Sequence, residues 1–190
     1  MTKYILTISI IWGVLTLFSC EKQDDSDPIP ADPVDSLYFP DMKLNTVSLL
    51  QNGSLRVFEK PEVTLNTSKQ SVNLQIKTYK GNLLEWLSAT RIPLEEGTYT
   101  PKGVSFSQTD LIFSIAWALE LDQSVGFIHT DTLYTDNKLE VLRFHEKTRI
   151  LEGRFTVRMV GEVDPTAPPS LNIKDTVLFE QGRFVVKVPE

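Results

Sequence analysis

The side chains able to do chemistry in this chain are few and widely spaced. Its two histidines, His129 and His145, lie 16 residues apart, each with an acid close by, Asp131 and Glu146. A metal centre needs three or four converging ligands held by a supporting shell. The segments 126–134 and 138–146 read as a hairpin turning at Asp136-Asn137. That register sets His129 opposite position 144 and points His145 to the other side, so both are read as ordinary histidines. Glu95 and Glu96 precede a turn, where acids are solvated, and Glu120 and Asp122 sit on the small-residue face of a strand, so neither suits a glycosidase pair. Asp131 and Asp136 lack the regular acid spacing of calcium loops. No Gly-x-Ser-x-Gly elbow and no Gly-rich loop leading into a helix is present. The expectation is a protein without metal, cofactor or catalytic activity. The lone cysteine, Cys20, excludes an intrachain disulfide framework and a thiolate zinc cage.

Cys20 nevertheless has a chemistry of its own. Lys3 is the only charge ahead of an apolar run from Tyr4 to Phe18, closed by Leu17-Phe18-Ser19-Cys20. A basic start, a short apolar stretch and a small residue at its end form a secretory signal peptide. The run has 15 residues and is interrupted by Thr7, Ser9, Gly13 and Thr16, whereas a spanning helix needs about 20 apolar residues. Leu17-Phe18-Ser19-Cys20 resembles the bacterial lipobox, which implies that Cys20 is diacylated and becomes the N-terminus after cleavage. Each buried CH2 contributes about 0.8 kcal/mol, so more than one chain on a single cysteine gives stable anchoring. A buried core cysteine is the weaker reading, because Glu21 and an acidic segment follow directly.

Residues 21–36 hold six acids, one lysine, and prolines at 28, 30 and 33. Such a stretch has too little apolar surface to offset its ordering entropy and reads as a disordered tether. Extended, it reaches roughly 50 Å. The acidic run after Cys20 also resembles the export signal that sends Bacteroidota lipoproteins to the outer leaflet of the outer membrane; the plainer reading is a solvated spacer facing the periplasm. The chain's formal charge of −6 is concentrated in this segment. Residues 37–190 are nearly neutral, with 19 acids against 17 bases. The balance argues against unaided nucleic-acid binding, which needs a concentrated basic surface.

From Tyr38 onward the apolar residues alternate. Leu111, Phe113, Ile115, Trp117, Leu119 and Leu121 take every second position, a spacing that puts them on one face of a strand. Val72, Leu74 and Ile76 alternate in the same way, as do Phe155, Val157 and Met159, and Phe184, Val186 and Val188. Strands are predicted near 44–50, 55–58, 62–66, 71–79, 83–92, 104–107, 111–121, 126–134, 138–146, 149–160, 171–178 and 182–188. Turn signals separate them at Asn52-Gly53, Gly81-Asn82, Gly97, Lys102-Gly103, Asp136-Asn137 and Gln181-Gly182. The stretch 83–89 also fits a short helix. Gly153, among large residues, marks a bulge or close backbone packing. The prolines at 165, 168 and 169 place a loop over Glu162–Ser170. The expected fold class is all-β: one antiparallel β-sandwich or barrel-like domain at 38–190, behind a signal peptide at 1–19 and a lipidated, acidic tether at 20–37.

The C-terminal half contains Leu-Glu-Gly-Arg-Phe-Thr-Val at 151–157 and Gln-Gly-Arg-Phe-Val-Val-Lys-Val at 181–188, with Glu-Glu-Gly-Thr-Tyr at 95–99 upstream. With the lipobox, this pattern resembles a family of uncharacterised Bacteroidota lipoproteins. Their members have a Gly-Thr-Tyr turn, a Ser-Gly-Thr-Phe-type strand and a closing Gly-x-Phe strand. The likeness covers residues 71–188, while 38–66 departs from the family's usual opening. It implies an envelope location and brings no activity.

Three tripeptides, beginning at Asp35, Asp131 and Asp175, resemble the Asp-Ser/Thr-aliphatic acceptor for O-glycosylation in Bacteroidota, which makes Ser36, Thr132 and Thr176 candidate acceptors. Among the aromatics, Trp86, Trp117, Tyr79, Tyr99 and Tyr134 offer a sugar-stacking platform. Trp117 sits in the apolar alternation and reads as core, which leaves Trp86 and Tyr134 as candidate ligand-facing aromatics. The sequence therefore points to a non-catalytic binding or accessory module, held to the membrane through Cys20 and meeting a glycan or an outer-membrane protein. The alternative is a structural component of an outer-membrane protein complex.

Overall fold

The computed structural model describes residues 39, 41–68, 70–103, 110–119, 123–171 and 173–190. Eleven strands account for nearly all of their regular structure: β1 (Thr46–Gln51), β2 (Ser54–Glu59), β3 (Glu62–Leu65), β4 (Ser71–Lys80), β5 (Leu83–Pro93), β6 (Gly97–Tyr99), β7 (Ile112–Leu119), β8 (Gln123–Thr130), β9 (Lys138–His145), β10 (Ile150–Val163) and β11 (Thr176–Lys187). A 3-10 turn lies at Pro169–Leu171. The strands form one antiparallel sheet in the order β2-β1-β11-β10-β8-β7-β5-β4-β3, with β9 on β10 and β6 on β9.

Two features curl this sheet. β10 is 14 residues long and forks it: one edge pairs with β11, while the other pairs with β9 from Ile150 to Thr156 and then with β8 from Met159 to Val163. The end strands β2 and β3 are joined only by Lys60-Pro61, a link that spans about 10 Å when fully extended. The ends must therefore meet, and Arg56 of β2 reaches Glu85 of β5 at 2.5 Å. The domain is all-β and barrel-like, as the alternation predicted.

The alternating residues fill the interior. Phe113, Ile115 and Trp117 of β7 face Ile128, Leu139, Val157, Met159, Phe179 and Phe184 in one core. Phe155 sits at its centre, 5.1 Å from Phe113 and 6.5 Å from both Phe179 and Phe184 between ring centroids. Each such side chain contributes about 1.5–3 kcal/mol when buried. The void among Val47, Phe113, Leu139, Phe155 and Phe184 is about 10 Å³, barely room for one water. At Gly153 a Cβ would lie 2.3 Å from Phe184 Cζ and 2.7 Å from the Glu140 carbonyl oxygen. The β9 register shifts at the same point, so the position is both a bulge and a close backbone approach.

Several expectations need correction. The strands expected at 171–178 and 182–188 merge into one, β11, which begins only at Thr176; Gln181-Gly182 is a bulge inside it, with Gln181 at φ 49°. Gly182 is there because a Cβ would stand 2.5 Å from the Phe155 ring. Residues 83–89 are strand as first read, and not the alternative short helix, with Leu87 and Ala89 turned into the core. Gly97–Tyr99, read as a turn, pairs with β9. β10 runs through Val163, so the proline loop starts later than Glu162. β8 and β9 do not form a hairpin: β8 pairs with β7 and β10, β9 with β6 and β10, because β10 is long enough to serve both on one edge. The strand expected at 104–107, the signal peptide at 1–19 and the tether at 20–37 lie outside the described residues.

A second, smaller apolar cluster forms on the outside of the sheet. Phe39 packs on Ile150 and Val185, flanked by Met42, Leu44 and Leu142. Glu152, only 1% exposed, lies beneath them and accepts hydrogen bonds from Phe39 N (3.4 Å) and from Arg143 Nε (3.1 Å) and Nη2 (2.7 Å). The Arg183 guanidinium covers the Phe39 ring at 5.3 Å. Phe39 and residues 41–44 are thus a strap over β9, β10 and β11.

Candidate functional site

The strap, residues 39 and 41–44, does not extend over the outer face of β5, β7 and β8, where two aromatic rings are partly exposed. There the register aligns Lys77, Trp86, Ala116, Phe127 and Glu162 side by side across five strands. Trp86 is 38% exposed and Phe127 45%. They stand two strands apart, about 10 Å, with only the Ala116 methyl between them. Lys77 Nζ lies 4.8 Å from the Trp86 ring centre and closes one end of the row; Glu162 closes the other. The adjoining row is polar, with Ser88 and Ser114 hydroxyls 2.9 Å apart and His129 beyond them. The His129 ring lies 6.3 Å from Phe127, and its Nδ1 meets the Thr130 carbonyl at 3.1 Å.

A shallow depression of about 680 Å³ adjoins Phe127, lined by Ser124, His129, Glu162 and Asp164 among others. Asp164 accepts hydrogen bonds from the Thr166 hydroxyl (2.6 Å) and amide (2.7 Å), which hold its carboxyl below the ordinary carboxylate range. On the other side of Trp86, Tyr79 is 66% exposed beside Leu84. The face thus offers aromatic surface, hydroxyls and carboxylates together, a combination suited to stacking and hydrogen bonding.

The two aromatics singled out in the sequence are not brought together. Trp86 belongs to this row. Tyr134 lies beyond the end of β8, in the loop to β9, with the Arg158 guanidinium 5.8 Å from its ring. Trp117 is core, and its Nε1 donates to Glu85 Oε2 at 3.1 Å. Phe127 was missed, because Phe127-Ile128 gives two large apolar neighbours and a period of two cannot say which faces outward. The register slip between β7 and β8 near Trp117 and Ala118 decides it.

The remaining candidates have structural partners. Asp131 Oδ1 accepts from Leu133 N at 3.0 Å, and Oδ2 lies 3.6 Å from Arg158 Nε, while Asp136 is exposed. His145 Nδ1 contacts the Thr148 hydroxyl at 3.0 Å. Glu95 and Glu96 are exposed; burial first, and then the charge of Glu95, raise the Tyr99 hydroxyl above its usual range. Among the described residues no three His, Cys, Asp or Glu side chains converge as metal ligands. Thr132 is exposed in the β8–β9 loop, whereas Thr176 pairs with Val160 inside the sheet, so Thr132 is the more accessible acceptor. Cys20, Ser36, Glu120 and Asp122 lie outside the described residues.

Comparison with protein-family models, curated proteins and solved structures gave no match.

Proposed function

We propose that this chain is a non-catalytic binding module of the cell envelope, lipidated on Cys20, spaced from the outer membrane by residues 21–36 and displayed at the cell surface. Its ligand is a glycan laid across Trp86 and Phe127. The observation that supports this reading is the in-register exposure of two aromatic rings beside hydroxyl and carboxylate side chains. Aromatic side chains present apolar faces that stack on sugar rings, while the polar neighbours fix orientation.

The test has two parts. Cys20→Ala should release the protein from membranes and abolish incorporation of labelled palmitate; retention on the membrane defeats the anchor. Binding to glycans prepared from the native envelope should be lost in Trp86→Ala and Phe127→Ala, with the thermal midpoint nearly unchanged. Unaltered binding in both variants defeats the site.

One observation favours a second reading, a structural part of an outer-membrane complex. β2 is an end strand whose outward side chains Leu55 and Val57 are 68% and 55% exposed, a form that accepts an added strand from a partner. Leu55→Lys with Val57→Lys would abolish co-purification of such a partner and leave glycan binding intact.

A further inference from the structure

A different part of the molecule bears a site of another chemistry. Where β1 and β10 begin and β2, β9 and β11 end, a cavity of about 670 Å³ is lined by Lys60, Lys147, Arg149 and Lys187, with Glu190 as its only acidic side chain. Among the described residues none of these four cations has an ion-pair partner, while Lys43, Arg56, Lys77, Arg143, Arg154, Arg158 and Arg183 each have one. Like charges gathered round one cleft repel, and their summed field raises the local concentration of anions.

The backbone holds these cations in place. Asn45, Lys60 and Arg149, all lining the cavity, have φ of 58°, 55° and 60°. Left-handed backbone is uncommon in side chains other than Asn and Asp, and Pro61 further disfavours a helical Lys60. Such conformations persist where surrounding structure over-determines them, and they cluster at binding sites. Here Lys60 N donates to the Asn45 carbonyl (2.7 Å), Val188 N to the Arg149 carbonyl (2.7 Å) and Lys187 N to Asn45 Oδ1 (2.8 Å). The Arg149 guanidinium is fixed by its Nη2 on the Pro189 carbonyl (2.6 Å) and by Phe144, 5.4 Å away. Leu44, Val63 and Ile150 supply an apolar wall.

We propose that this cavity binds a phosphate-bearing small ligand, with the phosphate among Lys60, Lys147, Arg149 and Lys187 and the body of the ligand against the apolar wall. The proposal is independent of the aromatic face. The group could come from a soluble phosphomonoester or from a lipid headgroup, and titration separates these sources. The full chain is titrated at constant ionic strength with inorganic phosphate, with glycerol 3-phosphate, and with phosphatidylcholine vesicles containing phosphatidylglycerol, followed by amide NMR or vesicle co-sedimentation. Saturable shifts at Lys60, Lys147–Ile150 and Lys187 on adding either soluble phosphate are expected. Vesicle binding by the Cys20→Ala chain that requires phosphatidylglycerol, is absent with phosphatidylcholine alone and occurs without shifts from the soluble phosphates assigns the headgroup as the source.

Lys60→Asn combined with Lys187→Gln should weaken binding by about tenfold, while Lys174→Gln, at the opposite end of the barrel, should not change it. Asn tolerates the left-handed backbone, so this variant keeps its fold, and its thermal midpoint verifies that. Arg149→Lys retains the charge but not the guanidinium fork and should weaken binding by about threefold. Absence of shifts with all three probes overturns the proposal. So do shifts that chloride reproduces at equal ionic strength, or affinity unchanged in the double variant.

Discussion

Over β9, β10 and β11 the outward apolar side chains Ile150 and Val185 lie beneath Phe39 and Met42, and the buried carboxylate among them, Glu152, is enclosed with Arg143. Over β5, β7 and β8 of the same sheet, Trp86 and Phe127 stand in solvent with Ala116 between them. Both halves present apolar residues to the outside, and only one is covered by the described chain itself. The covered half contributes to stability, and its charged group is sealed in place. On the other half the two rings keep 38% and 45% of their surface exposed, and it is there that the proposed glycan would stack.

Substitutions on the two halves should separate these roles. The largest effect is expected at Arg143→Met, which takes the cation from a carboxylate 1% exposed. Breaking such a pair from one side costs about 3–5 kcal/mol, measurable by urea unfolding, and adding Glu152→Leu should restore much of the loss. Phe39→Ala removes the strap's main contact and should cost about 2 kcal/mol, less than for a ring in the main core. Trp86→Ala should cost within about 1 kcal/mol, mostly its contact with Lys77, and a loss above that of Phe39→Ala would erase the distinction between the halves.

The smallest effect is electrostatic. Glu140, beside the strap, accepts two hydrogen bonds from Arg154, which hold its carboxyl below the ordinary range. A lowered folded value means that the stabilisation is present above the unfolded pKa and is lost as pH falls through the folded one. The pair is partly exposed, so the amount is about a few tenths of a kcal/mol. Arg154→Ala should move the Glu140 titration upward by NMR and flatten this part of the acid limb. An unchanged Glu140 titration would remove the pair from the account.

The inward faces were legible in the sequence because a period of two needs only local information: Phe113, Ile115 and Trp117 are buried as predicted. What was not legible depends on distant contacts. Gln181-Gly182 looks like a turn until the Phe155 ring across the ladder is known to occupy the missing Cβ. Glu152 looks like any outward acid until Phe39, 113 positions away, covers it. Glu85 looks solvated until the curl of the sheet brings Arg56 to it. Trp86 was identifiable as an open aromatic, yet its partner Phe127 was not, since a bulge sets its side. The four cations of the cavity come from three separated stretches of sequence, so no local motif marks them.

The strap also determines how the domain responds to tension. A pull on the chain ahead of Phe39 does not begin by peeling β1 from the sheet. It first loads the Phe39 amide on Glu152, and thereby β10, the strand laced to β8, β9 and β11 at once. The force therefore reaches a strand paired with three others before it reaches a single ladder.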